Sequence, residues 1–402
     1  MYRKVVFASF VALASCAPQR GRGRQQTAAQ QVAKIPQGVS TATDGSMILD
    51  ATTNVNGLPI RFKVAAPADQ FMAASGVPGA AATSANGTMG VNVLLHGDGG
   101  DSFVKFPNQA VQANTMGVVL LAPNDNLFWG GGSGLQRTDG VEHAQAVNDF
   151  VKNVMPQVAA FDSSKVSFTG VSGGSLLMSG FFIPAQMQNF PNSAVELNCG
   201  GMAPQVDVVD PATVANTRIH FQSTQSELKL LQGSIPQSVT AYEQIAASQG
   251  LSADQINSLQ TVDNTPTGGH CEFDGQGFSS GVQTMLSSYS NVVQGGDGIV
   301  QGIGAPSNGK VTTGVVGNEN LKFVGGQKRS VDGEGFIGKR WVVQDEGDAS
   351  IAKRWVVQDE GDASVAKRWV VQDEGDASVA KRWVVQEEAD IAAVVACDRV
   401  SC

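Results

Sequence analysis

The run Val166-Ser167-Phe168-Thr169-Gly170-Val171-Ser172-Gly173-Gly174-Ser175 decides how the chain is read. A β-rich apolar segment enters a Gly-x-Ser-x-Gly pentapeptide, Gly170 to Gly174, and an apolar segment of helical length, Leu176 to Met187, leaves it. That order predicts strand, sharp turn, helix. In such a turn the serine takes strained backbone angles that lift its hydroxyl clear of the sheet edge, and glycines at 170 and 174 let strand and helix approach closely. Ser172 is therefore the candidate nucleophile. A chain with 47 glycines also produces such a pentapeptide by chance, so its meaning depends on its neighbours in order.

Upstream, Met47 to Asn54 and Leu58 to Val64 are extended in pattern, and Asn56-Gly57 between them signals a hairpin turn. Gly90 to Leu95 is a continuous apolar strand of the kind buried on both faces of a parallel sheet, and it runs into His96-Gly97-Asp98-Gly99-Gly100. Gly117 to Ala122 repeats the strand pattern, and Gly140 to Val154 reads as an amphipathic helix. Downstream, Ala194 to Leu197 and Thr217 to Gln222 read as strands, and Gly277 to Tyr289 as a helix. Strands alternating with helices predict an α/β fold, a mainly parallel sheet with helices on both faces. Ligands of such sheets collect at the carboxyl ends of the strands. Ser172, the His96 to Gly100 loop and the segment after Gln222 all lie at such ends.

A serine needs a base and an acid to orient it. His270, in the loop Thr267-Gly268-Gly269-His270-Cys271, is the candidate base, and Glu227, just past the strand ending near Gln222, the candidate acid. The order serine, acid, histidine is the expected one. Asp207, Asp210 and Asp263 remain rivals for the acid. Of the other three histidines, His96 reads as the structural start of the glycine loop, His143 as a solvated helix residue and His220 as packed within a strand. Phe128-Trp129-Gly130-Gly131-Gly132 reads equally as an acyl-pocket lining or a surface loop.

Together, Gly170 to Gly174, His96 to Gly100 and His270 resemble the α/β-hydrolase superfamily. Within it, residues 40–295 are similar to secreted esterases of the polyhydroxybutyrate-depolymerase and feruloyl-esterase kind. That resemblance implies an α/β-hydrolase fold and hydrolysis of a small or polymeric ester, with Ser172 as nucleophile, His270 as general base and Glu227 at a position where most members carry Asp. The oxyanion would accept N–H donors from Gly173 and from Gly97, Asp98 and Gly99. No metal-ligand spacing is recognisable, and no cofactor is needed.

At 402 residues and 42% hydrophobic the chain can bury a large core, and its net charge of −9 argues against nucleic acid. No later apolar run reaches the roughly 20 residues needed to span a bilayer. The start, Arg3-Lys4 followed by an apolar run to Leu13 and small residues, reads as a secretory signal over 1–17, with a polar spacer over 18–39. A lipoprotein-type signal ending at Cys16 ranks second. In a secreted chain Cys199, Cys271, Cys397 and Cys402 allow three pairings, of which Cys199 with Cys271, both in the globular part, is preferred. Asn86-Gly87-Thr88 is the one N-glycosylation sequon, in a loop-like stretch.

Residues 296–327 read as a linker, and 328–402 as repeats. A unit opening Trp-Val-Val-Gln recurs every 14 residues from Trp341, each copy preceded by Lys-Arg: Lys339-Arg340, Lys353-Arg354, Lys367-Arg368 and Lys381-Arg382, with a further pair at Lys328-Arg329. Units this short argue against a packed domain and for a disordered tail. The arrangement resembles kexin-processed repeat precursors of fungi, which implies cutting by a dibasic-site protease into short acidic peptides. The alternative function is a repeat-peptide precursor in which the hydrolase domain is an inactive or incidental carrier.

Overall fold

A computed structural model of the chain describes residues 28–104 and 114–275, short stretches between 288 and 323, and four strands between 340 and 386. The signal segment 1–17, the Lys328-Arg329 pair, the helix expected over 277–289, and Cys397 and Cys402 lie outside the described residues.

Among the described residues ten strands form one sheet: β1 (Gly38–Thr41), β2 (Met47–Val55), β3 (Leu58–Ala66), β4 (Gly90–Leu95), β5 (Thr115–Leu120), β6 (Val166–Val171), β7 (Ala194–Asn198), β8 (Arg218–Gln222), β9 (Gln260–Asp263) and β10 (Thr313–Gly314). Their order is β1-β2-β3-β5-β4-β6-β7-β8-β9-β10. β5, β4, β6, β7, β8 and β9 run parallel, while β1 to β3 and β10 are added antiparallel. This is the expected α/β fold, a mainly parallel sheet opened by the expected hairpin. Its turn is Asn56-Gly57, with φ of 54° and 88°, the pair of left-handed residues that a two-residue turn between twisted strands requires.

Among the described residues, α1 (Ala28–Val32) precedes the sheet, and the parallel strands are connected by α2 (Asp101–Val104), α3 (Gly140–Asp149), α4 (Met155–Val158), α5 (Gly173–Leu177), α6 (Ile183–Gln186), α7 (Pro211–Asn216), α8 (Lys229–Ser248) and α9 (Ala253–Leu259). Wider helical turns join α3 to α4 and α5 to α6 without a break, so the expected helices around 140–154 and 176–187 are each one continuous rod. α9 begins with a capping box, in which Ser252 and Gln255 satisfy each other's free N–H groups.

Because side chains alternate along a strand, the sheet's two faces differ. One presents Val93, Phe168, Val195 and Ile219, and beside them Leu95, Leu197 and Phe221, in a single apolar core. The Phe168 ring packs 4.7 Å from Phe182 and 5.1 Å from Phe190, which fixes the serine-bearing strand against the helix that follows it. The other face carries the register row Leu94, Thr169, Glu196, His220, Thr261, largely polar and largely buried.

Two boundaries move. Residues 28–41, assigned by sequence mainly to the spacer, hold α1 and β1, and Arg61 reaches out to the carbonyls of Val32 and Ile35 at 2.9 and 2.8 Å. Within the expected linker, β10 pairs with β9, and Val316 N–H donates to Asn257 at 2.9 Å. Both segments attach through backbone groups, which composition does not report.

The repeats fall in a separate unit, 327–402. Among the described residues they form a four-stranded antiparallel ladder: β11 (Arg340–Gln344), β12 (Arg354–Gln358), β13 (Arg368–Val370) and β14 (Val384–Gln386). Trp and paired valines favour extended backbone, and pairing falls on the same piece of each repeat, Trp341 opposite Val357 and Val343 opposite Trp355. The acidic spacers lie outside the described residues.

Candidate active site

β6 ends at Val171, and Ser172 sits at the corner before α5 with φ 49° and ψ −112°. A non-glycine residue in that region is strained and must be held there by its surroundings. Asn198 at the end of β7 holds it: its carbonyl accepts both Ser172 N–H at 2.8 Å and Ser175 Oγ–H at 2.9 Å. The flanking glycines are steric necessities. A Cβ on Gly170 would lie 2.7 Å from Ser175 Cα, and one on Gly174 would lie 2.1 Å from the Leu95 carbonyl oxygen.

The turn delivers Ser172 Oγ to within 2.8 Å of His270 Nε2, and His270 Nδ1 lies 2.6 Å from Glu227 Oε2. Serine, histidine and carboxylate thus stand in one line. The Glu227 side chain is fully buried while the His270 ring keeps 22% of its surface open, so the line runs from the interior to the mouth of the site. Thr224 braces it, its hydroxyl donating to the Gly269 carbonyl at 3.0 Å beside the Glu227 carboxylate. The rival acids are engaged elsewhere. Asp210 caps α7 by accepting Thr213 N–H at 3.0 Å, Asp263 accepts from Gln222 and Thr265, and Asp207 is exposed.

A disulfide joins Cys199, the residue after β7, to Cys271, the residue after His270. It ties the histidine loop to the strand end that holds Ser172. It also takes both sulfurs out of the cluster they form with His270, the one group of described residues spaced like metal ligands.

Gly173 opens α5, so its N–H has no intrahelical acceptor. In the glycine loop, Gly99 N–H donates to Leu127 O at 3.1 Å. Gly99 therefore drops out as an oxyanion donor, and Gly97 and Asp98 remain.

Around this loop the sequence reading needs two corrections. His143 is buried rather than solvated: it faces inward with Ala144 and Val147, and its Nδ1 accepts Gly130 N–H at 2.8 Å. Trp129 lines no acyl pocket but is fully buried, its ring 5.6 Å from His96 and 6.0 Å from His143. His96 accepts Ala122 N–H at 3.0 Å and pairs through Nδ1 with Gly97 O, and burial pulls its pKa down to about 4. Burial lowers His143 as well. Two buried imidazoles and an indole thus lock the loops beside Ser172.

Sequence reasoning missed Arg137. Its guanidinium grips Asp98 with two bonds of 2.8 Å, one to each carboxylate oxygen, and donates to Trp129 O at 3.0 Å. A lone cation in a loop otherwise rich in glycine was its only signal. Asn86 is exposed, in a loop bridged to Phe161.

No family model and no curated protein matches the chain. Among solved structures it is similar to a cold-adapted esterase from an Arctic intertidal metagenomic library, with 9% identity, 62% of this chain and 96% of that one covered, and a TM-score of 0.37. A thermostable esterase from Pseudomonas putida ECU1011 is matched at 13% identity, 63% and 82% coverage and a TM-score of 0.40. An arylesterase is matched at 11% identity, 65% and 87% coverage and a TM-score of 0.37.

Proposed function

We propose that this chain is a secreted serine hydrolase that cleaves carboxylic esters through Ser172, His270 and Glu227, and that its repeats are cut at the Lys-Arg pairs into short acidic peptides. The observation that carries the hydrolase reading is the unbroken line from Ser172 Oγ through both ring nitrogens of His270 to Glu227.

In this mechanism His270 Nε2 takes the Ser172 proton as Oγ attacks the ester carbonyl, and Nδ1–H donates to Glu227, which fixes the tautomer and stabilises the imidazolium. The tetrahedral oxyanion accepts N–H groups from Gly173 and from Gly97 or Asp98. His270 then returns the proton to the leaving alkoxide. Water, deprotonated by the same imidazole, releases the acid and restores the serine. The first transfer, from Ser172 Oγ to His270 Nε2, runs along a contact already formed.

A fluorophosphonate probe should modify Ser172, located by peptide mapping, and Ser172→Ala should lower turnover of p-nitrophenyl acetate and butyrate by about 10⁴-fold or more. Turnover that survives the substitution, or label on another residue, would remove this reading. Silence of the wild type across several acyl lengths would instead favour the carrier, whose support is the near-identity of the 14-residue units. For the tail, mass spectrometry of culture medium should find peptides such as Trp341 to Ala352. An intact tail from a host with an active dibasic protease speaks against cutting. Asn86, exposed in its loop, is the proposed glycan site, and an endoglycosidase mass shift lost in Asn86→Gln tests it.

A further inference from the structure

The candidate site contains a charge that esterolysis does not call for. Asp98 lies in the loop that faces the nucleophile, and its carboxylate is pressed against the first residue of α5: a Cβ on Gly173 would sit 2.0 Å from Asp98 Oδ1. An uncompensated anion there would stand beside the position where negative charge develops on the substrate. Repulsion at such a short range opposes the work of the N–H donors.

Arg137 supplies the compensation. Its side chain is 1% exposed, against 24% for Asp98, and its Nη1 would lie 3.3 Å from a Cβ on Gly173, so cation and carboxylate stand side by side at the first residue of α5. Both oxygens are bound at 2.8 Å in the planar two-pronged geometry that fixes orientation as well as charge. The third link, from Arg137 to the Trp129 carbonyl, ties this pair to the indole clamped by His96 and His143. Arg137 Nε is buried without a hydrogen-bond partner among the described residues, so burying this cation carries a penalty. Gly173 fits the same picture, since any side chain there would displace Asp98 Oδ1.

We propose that Arg137 is a positioning residue for the reaction. Acting through Asp98, it holds the backbone of Gly97 and Asp98 at the oxyanion and cancels a carboxylate charge that would otherwise raise the barrier. This rests on the hydrolase reading above.

The test uses the full-length secreted protein and four forms: wild type, Arg137→Gln, Asp98→Asn and the double substitution. For each, kcat and KM on p-nitrophenyl acetate, the rate of fluorophosphonate labelling and the melting temperature are measured. Arg137→Gln exposes the carboxylate charge to the site and should lower kcat by about 10²-fold with KM within about threefold. The double substitution removes both charges and should recover at least about tenfold of that loss, although it removes more contacts. A merely structural pair would show the double at or below the worse single, with kcat following melting temperature. That pattern overturns the proposal, as does kcat for Arg137→Gln within threefold of wild type. If Arg137→Gln does not fold, Asp98→Asn, which keeps shape and removes the anion, still decides. A fall in kcat at constant KM supports the pair, and unchanged kcat and labelling overturn it. A wild type that neither turns over nor labels defeats the hydrolase reading itself, and the proposal with it.

Discussion

Two glutamate–histidine neighbours sit within this one sheet and do opposite things. Glu227 and His270 belong to loops at the carboxyl ends of β8 and β9, touch at 2.6 Å and lead on to Ser172. Glu196 and His220 are register partners in the middle of β7 and β8 and fully buried. Glu196 has no well-formed hydrogen-bond partner among the described residues, and burial pushes its pKa up to about 7, with the nearby Asn198 side chain pulling slightly downward. His220 is held between Thr261 and Gln222, and burial lowers its pKa. The residue types are the same. What separates them is place: a strand end gives a loop that can aim a side chain at a ligand, while a strand interior fixes it in a closed row.

Breaking the two pairs in parallel is the strongest test of that contrast. Glu227→Gln keeps the shape but lets the amide hold the wrong tautomer of His270, so kcat should fall by roughly 10³- to 10⁴-fold. Glu196→Gln should leave kcat within about threefold, because no step of the reaction passes through that row. Equal losses from the two substitutions would mean that the interior row feeds the site and the contrast is false.

The disulfide is where the two regions meet, since Cys199 follows the strand that carries Glu196 and Cys271 follows His270. Closing a loop of 72 residues stabilises the fold by about 4 kcal/mol on the chain-entropy account. Cys199→Ala with Cys271→Ala should therefore lower the urea midpoint by that equivalent, and also cut activity by releasing the histidine loop. An unchanged midpoint would show that the loops hold themselves.

The line Ser172–His270–Glu227 was legible in the sequence because each of its parts obeys a local rule. Ser172 needs a glycine-flanked corner, buried parallel strands read as unbroken apolar runs, and only His270 among the histidines stands in a glycine loop after the serine. What was not legible depends on tertiary neighbours. α8 carries Pro236 inside it and mixes polar with apolar residues, and β9 is Gln-Thr-Val-Asp, too short to show a period. His143 looked solvated because the hydrogen bond from Gly130 that takes it inward joins residues whose contact no spacing announces. Arg137 and Asp98 are 39 residues apart and meet only because the loops after β4 and β5 share one end of the sheet. That Glu227 and none of the three rival aspartates lies against His270 depends in the same way on where loops turn.

The smallest effect is also the most specific to the interior row. A carboxyl whose folded pKa is raised from 4.5 to about 7 favours the fold in its protonated form. Its contribution is whole below pH 4.5 and is lost as pH rises towards 7, on the order of 3 kcal/mol in all. The buried histidines act in the opposite sense. With folded pKa values lowered, His96, His143 and His220 cost stability as pH falls below about 6.5, so the wild-type curve alone mixes the two slopes. The difference between Glu196→Gln and wild type separates them, because the histidines are common to both. Denaturant midpoints from pH 4.5 to 7.5 should show the variant gaining on wild type from about pH 4.5 to about 7 and levelling off above it. An amide buried without partners lowers the variant's curve by a constant amount, so the slope of the difference and not its height is the reading. A flat difference would mean that Glu196 is hydrated or ion-paired, and the interior row would then be no drier than the site it is contrasted with.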